Sequence, residues 1–324
     1  MEPPLMDIVV FGTGPFAVPT FEKLLTSNHN VTTVVTRPIA DAGKRRKTAE
    51  NPVRDLAEAK GLTVLDPPNV NDDAVVQQLS ALNADLFFVC DYGQILSRQC
   101  LAAARLGGIN LHGSLLPKYR GAAPIHWAIY NGESETGVTV IHMTPKLDGG
   151  PALSIAKTEI GAGDTTESLE PRLSEIGVTA VEEAIELLAG WNGTDEIGQK
   201  QNNKQATKAP RLKKADGKLD WNKPAIQLER QIRAFQPWPG SFTLFPSGKQ
   251  GKQPLRVIVH GASVMQVETD APAGVVVGAD KKLLAVQTSE GALAIHEVQP
   301  AGKRPMPVED FLRGKSIDIG QSLE

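Results

Sequence analysis

Short, largely apolar runs alternate with amphipathic stretches through the first half of the chain. The runs at Asp7-Ile-Val-Val-Phe11, Val31 to Thr36, Thr63 to Leu65, Asp85-Leu-Phe-Phe-Val-Cys90, Gly108-Ile-Asn-Leu-His112 and Thr136 to Met143 read as strands. Between them, Val18 to Leu25, Asn51-Pro52 to Lys60, Asp72 to Leu82 and Ala122 to Asn131 repeat their apolar residues at helical spacing. Strands alternating with helices predict an α/β domain built on a mainly parallel sheet covered on both faces. A long amphipathic helix from Thr165 to Leu188, stopped at Gly190, closes a first domain at residues 1–190.

The pattern then changes. Residues 191–216 are polar, carry Lys200, Lys204, Lys208, Arg211, Lys213 and Lys214, and read as an exposed basic linker. Residues 217–324 hold one helical stretch, Ala225 to Phe235, and then short glycine-broken strands at Leu255 to His260, Gly274 to Val277, Leu283 to Gln287 and Leu293 to Val298. That spacing predicts a small antiparallel barrel.

Candidate chemistry sits in the middle of the first domain. The period of a strand puts Asn110 and His112 on one face, so an amide donor and an imidazole converge where the strand ends in the turn Gly113-Ser114-Leu115-Leu116-Pro117. After a further helix and strand, Asp148 follows in a glycine-rich loop. An amide and a protonated imidazole suit an oxygen on which charge develops, and a carboxylate suits the proton of an attacking amine. Taken singly, each residue is more often a cap or a turn former.

Three other features bear on function. Gly12-Thr-Gly14-Pro-Phe-Ala17 satisfies a short dinucleotide fingerprint, but the next strand ends in Thr36-Arg37 without an acid, and Pro15 falls inside the loop. Arg37 to Lys47 contains Lys44, Arg45, Arg46 and Lys47, a run that is ordinarily solvated and that in a crevice can grip phosphates. Cys90 and Cys100 lack the spacing of a metal site or disulfide framework and read as buried thiols, and His126 and His142 as structural histidines, so no metal is expected.

With 41% hydrophobic and 22% charged residues, the 324-residue chain has the composition of a soluble two-domain protein. No apolar run is long enough for a membrane span, and Met1-Glu-Pro-Pro-Leu is unlike a signal peptide, so a cytoplasmic location is expected. A net charge of −3 argues against a generally basic nucleic-acid binder, although local basic clusters can still steer one.

The stretch from Asn110 to Ile125, followed by Asp148, resembles the folate-dependent formyltransferases, which carry an Asn-x-His pair, a Ser-Leu-Leu-Pro loop and a later Asp. The turn at Gly12, the segment Asp91-Tyr92-Gly93-Gln94-Ile95-Leu96 and the segment Arg233-Ala-Phe235-Gln-Pro-Trp238-Pro extend the resemblance over nearly the whole chain, toward the members that act on methionyl-tRNA. Departures occur at Gly14, Asp91, Ser97, Gly149 and Pro151.

The resemblance implies a Rossmann-like first domain and a C-terminal OB-type β-barrel. It makes Asn110, His112 and Asp148 catalytic, and it gives folate contacts to Ser114, Leu115, Leu116 and Pro117 and to Asp91, Tyr92, Gly93, Gln94 and Ile95. It gives tRNA contacts to Arg37, Lys44, Arg45, Arg46 and Lys47, with Lys208, Arg211, Lys213 and Lys214 of the linker adding to them. The implied reaction moves the formyl group of 10-formyltetrahydrofolate to the α-amine of charged initiator methionyl-tRNA, in a monomer. A formyltransferase acting on an amino-sugar nucleotide and a non-catalytic RNA-binding protein are the competing readings.

Overall fold

The computed structural model describes residues 5–39, 50–246, 253–280 and 282–324. Contacts divide the chain into one unit of Met1–Pro124, Glu135–Glu159 and Glu170–Pro210 and another of Ile125–Ser134, Ile160–Leu169 and Arg211–Glu324.

The first unit is built on a seven-stranded sheet. Its strands are β1 (Asp7–Gly12), β2 (Asn30–Val35), β3 (Thr63–Leu65), β4 (Leu86–Cys90), β5 (Gly108–His112), β6 (Glu135–His142) and β7 (Ala152–Glu159), in the order β3-β2-β1-β4-β5-β6-β7. β1 to β5 pair in parallel. Val9, Phe11, Phe87 and Val89 pack with Val76, Leu79 and Tyr92 in one core, and Ile8, Val10, Leu86 and Phe88 are buried as well. Burial on both faces is why β1 and β4 read as unbroken apolar runs.

Local chemistry sets the helix ends. In α1 (Pro52–Ala59), the Asn51 side chain accepts from the Arg54 N–H at 3.1 Å and Pro52 sits in the first turn, while Gly61 at φ 69° ends the helix. The Arg54 guanidinium then bonds Asp66 at 2.6 Å beside β3.

The edge of this sheet differs from expectation. β6 and β7 run antiparallel at the sheet edge, and β7 was not foreseen. No helix-length crossover separates them; the glycine-rich loop after His142 only reverses the chain, which antiparallel pairing allows.

The expected basic linker is also not free up to residue 210. Gln199 pairs with Ala152, and Lys208–Ala209 forms a short parallel ladder with Arg120–Gly121. The backbone of this polar stretch finds its partners in the first unit, a pairing that side-chain polarity does not announce.

In the second unit, α2 (Ala225–Ala234) packs on an antiparallel sheet of β8 (Ser241–Phe245), β9 (Leu255–Met265), β10 (Val276–Ala279), β11 (Leu284–Gln287) and β12 (Ala292–Pro300), ordered β8-β9-β12-β11-β10. Leu228 and Ile232 of α2 join Phe245, Val257, Val259, Leu284, Val286, Leu293 and Ile295 in its core. β8 was not foreseen. Residues 125–130 belong here through their aromatic rings: Tyr130 stacks on Phe235 at 5.4 Å and Trp127 meets Phe235 edge-on at 5.9 Å. Among the described residues no helix is long and apolar enough to cross a membrane.

Candidate active site

β5 carries Asn110 and His112, and Leu111 between them faces the other way, against Gly177, where a Cβ would lie 2.8 Å from a Leu111 methyl. Asn110 is half-buried, and its amide has no hydrogen-bond partner among the described residues. His112 is buried, and its Nε2 lies 2.9 Å from the Tyr119 carbonyl. A carbonyl only accepts, so Nε2 carries a proton and Nδ1 is the nitrogen turned to the site. Asp148 Oδ2 stands 3.9 Å from that Nδ1 and accepts the Gly121 N–H at 2.8 Å.

Asp148 reaches this place by an indirect route. Because β6 runs antiparallel to β5, it ends with His142 opposite Ile109, at the amino end of β5, and the following loop folds back along the sheet to meet His112. Asp148 takes φ 47° in that return, a left-handed conformation that Asp tolerates better than most residues. At Gly150 a Cβ would lie 1.8 Å from the His142 carbonyl, so the loop can seat only glycine there.

The Ser114–Pro117 loop is held from below. Thr139, opposite His112 on β6, donates to the Ser114 carbonyl at 2.7 Å and accepts the Leu116 N–H at 3.1 Å. The Ser114 hydroxyl, fully buried, donates to the Lys118 carbonyl, so a ligand would meet the backbone of this loop and the half-buried Leu115 and Pro117.

The Asp91–Ile95 loop leaves β4 beside Asn110, since Val89 pairs with Asn110. Gln94 turns inward, accepting the Val70 N–H at 2.9 Å and donating to Pro67 O at 3.3 Å, and Tyr92 is buried edge-on to Phe11. Gly93 keeps an open face at φ 84°, with the Arg37 guanidinium 3.3 Å from where a Cβ would sit.

The glycine turn after β1 is not an anion cradle. A Cβ on Gly14 would fall 1.7 Å from Asp91 Oδ2, so an acid occupies the ground that a pyrophosphate needs. Burial and then Asp91 push the Glu170 carboxyl up, and burial, Asp91 and Glu170 push the Cys90 thiol well up. This disposes of the dinucleotide fingerprint.

Both cysteines are buried and free. His142 bonds the Leu106 carbonyl at 2.9 Å, and burial lowers His126 to about 4. Among the described residues no group of His, Cys, Asp and Glu is placed to hold a metal. Lys44, Arg45, Arg46 and Lys47 lie outside the described residues. Lys208 is exposed in the first unit, and Arg211, Lys213 and Lys214 are exposed in the second.

Tyr119, Arg120, Thr139 and Gln201 escaped sequence reasoning. For Thr139 a signal exists, a hydroxyl inside the apolar run Val138-Thr-Val-Ile141.

Asn110 and His112 thus lie on β5 of a mainly parallel sheet with Asp148 of the return loop beside His112, and comparison with known proteins gives the class. Residues 6–185 match the formyl transferase family and residues 211–316 match the formyl transferase C-terminal domain, so the chain belongs to that family. Relatives matched over nearly the full chain include methionyl-tRNA formyltransferases. That of Rhodopirellula baltica is 44% identical over 323 residues, covering 97% of this chain and 96% of the relative. That of Methylococcus capsulatus is 42% identical, covering 96% and 98%. In fold, the chain is similar to the N-formyltransferase from Helicobacter canadensis solved with folinic acid and dTDP-3-aminofucose, with a TM-score of 0.63, 19% identity, and 90% of this chain and 98% of that one covered.

Proposed function

We propose that Asn110, His112 and Asp148 carry out transfer of a formyl group from 10-formyltetrahydrofolate to the α-amine of methionyl initiator tRNA. Formylation of that tRNA follows from the full-length likeness to methionyl-tRNA formyltransferases. The observation that carries the catalytic reading is an amide on the same strand face as an imidazole whose Nε2 is committed to Tyr119, with a carboxylate 3.9 Å from Nδ1.

The Asn110 amide and a protonated Nδ1 of His112 donate to the oxygen that gains charge as the amine attacks, in a site where donors fixed beforehand need no reorganisation. Asp148 stays anchored to the Gly121 N–H, compensates the ring charge and accepts the amine proton through water. The folate co-substrate supplies the formyl carbon: as the tetrahedral oxyanion collapses the carbon–N10 bond breaks, and N10 takes up a proton equivalent to the one the amine gave up, so tetrahydrofolate leaves. Residues that suit the co-substrate are the segments Asp91 to Ile95 and Ser114 to Pro117: the first follows β4, whose Val89 pairs with Asn110, and the second follows β5 and is held in shape by Thr139.

Arg37, Lys44, Arg45, Arg46 and Lys47 are assigned to tRNA phosphates, with Lys208, Arg211, Lys213 and Lys214 as further contacts. The antiparallel C-terminal sheet is read as an OB-type barrel, and the protein as a cytoplasmic monomer. The deciding experiment is formyl transfer from 10-formyltetrahydrofolate to charged initiator tRNA, run beside an amino-sugar nucleotide acceptor. Turnover on tRNA alone is expected. Transfer only to the sugar nucleotide, or tRNA binding without turnover, overturns the proposal.

A further inference from the structure

Three consecutive residues, Tyr119, Arg120 and Gly121, hold both titratable members of the catalytic trio. The Tyr119 carbonyl takes His112 Nε2 at 2.9 Å, and the Gly121 N–H holds the Asp148 carboxylate at 2.8 Å. Arg120 acts through Gln201. The Gln201 amide donates to two carbonyls of the return loop, Asp148 O at 2.8 Å and Gly150 O at 2.7 Å, while its Oε1 accepts from Arg120 Nη2 at 2.5 Å and Nε at 3.2 Å.

The guanidinium has donors only, so it fixes which way the amide faces; a flipped amide would set two N–H groups against it and an oxygen against two carbonyls. Arg120 Nη2 and Lys146 Nζ both reach Asn203 Oδ1, at 3.1 and 3.2 Å, closing a second tie onto the same loop. Gly121 itself, at φ 132°, leaves a Cβ only 2.4 Å from the Ala209 carbonyl, so the strap of residues 199–209 lies directly on the tripeptide.

We propose that Gln201, clamped by Arg120, is a positioning residue that holds the Asp148 loop in the geometry needed for formyl transfer. The inference rests on the catalytic reading of Asp148. The clamp is where it is because the loop enters from the wrong end of β5 and has no strand partner at Asp148, so its carbonyls need side-chain donors. A displacement of about 1 Å in a reacting group costs on the order of 10²-fold in rate.

The test compares Gln201→Ala, Gln201→Glu, Arg120→Ala and Arg120→Lys with the parent, measuring kcat, KM for folate and for charged tRNA, and the melting temperature. Glutamate keeps an acceptor for Arg120, now as an ion pair, but turns oxygen toward both carbonyls. Gln201→Ala and Gln201→Glu are expected to lose roughly 10- to 10²-fold in kcat, with both KM values within about twofold. Arg120→Lys, keeping a donor for Oε1, should recover part of what Arg120→Ala loses.

Asp148→Asn, alone and combined with Gln201→Ala, separates the two readings. Non-additivity is expected, with Gln201→Ala costing nothing further in kcat once the carboxylate is gone. Full additivity, or unchanged kcat with a raised KM for tRNA in Gln201→Ala, overturns the clamp. If Asp148→Asn is itself fully active, the catalytic reading of Asp148 fails and the clamp falls with it. If Asp148→Asn is inactive and both Gln201 variants turn over like the parent, only the clamp fails.

Discussion

Replacing Thr139 by valine removes one hydroxyl and changes the shape of the side chain hardly at all. Thr139 is fully buried on β6, its Oγ1 donating to the Ser114 carbonyl at 2.7 Å and accepting the Leu116 N–H at 3.1 Å. In Thr139→Val both backbone groups keep their burial and lose their partner, each at a cost of about 1–3 kcal/mol. The new methyl returns about 0.8 kcal/mol of apolar burial.

The net loss is about 1–5 kcal/mol, at or below the ~5–15 kcal/mol stability of an ordinary domain, and lowers the melting temperature by roughly 2–20 °C. Because the two groups belong to the loop assigned to folate, the KM for 10-formyltetrahydrofolate should rise several-fold while kcat at saturation holds. Differential scanning calorimetry and steady-state kinetics read the two effects, with Thr139→Ser, which keeps the hydroxyl, as the control. A Thr139→Val protein with the parent's melting temperature and folate KM would refute the reasoning, since the Ser114–Pro117 loop would then not depend on this hydroxyl.

Asn110→Ala and His112→Ala should each lose on the order of 10² to 10³ in kcat with little change in folate affinity, read by steady-state kinetics beside equilibrium folate binding. His126 titrates near 4 in the folded protein against an ordinary 6.5, because burial disfavours its charge. The unfolded chain takes up that proton first, so stability falls as the pH drops from about 6.5 to about 4, by roughly 3 kcal/mol in all; urea melts of His126→Gln should lose that slope. Replacing Lys44, Arg45, Arg46 and Lys47 by Ser should weaken tRNA binding and flatten its salt dependence by about 0.9 in log–log slope for each phosphate no longer held; an unchanged slope would return the run to plain solvated surface.

Much of the first unit was legible because its central strands β1 and β4 are buried on both faces, so Asp7–Gly12 and Leu86–Cys90 announce themselves as apolar runs without reference to anything distant. Asn110 and His112 were legible for a related reason: the two-residue period of a strand is a local property, and it puts them on one face whatever surrounds them. Asp148 was found by resemblance to a motif, with no local signal distinguishing it from an ordinary turn former. β7 was missed because its burial alternates with polar Lys157 and Glu159 along an edge.

The sequence by itself determined the strand–helix alternation, the shared face of Asn110 and His112, and the family to which the chain belongs. Tertiary structure decided that β6 runs back against β5, and hence that Asp148 arrives over the sheet face from the amino end of that strand. It also decided that a polar stretch with the look of a free linker reaches back to Arg120, Gly121 and Asp148 through Gln201 and the ladder at Lys208–Ala209. The reason is physical: side-chain periodicity reports only which face of an element is buried. The partner of a backbone carbonyl or a glutamine amide 50 residues away, like that of Gln201 with Gly150, is chosen by what the folded chain leaves unsatisfied.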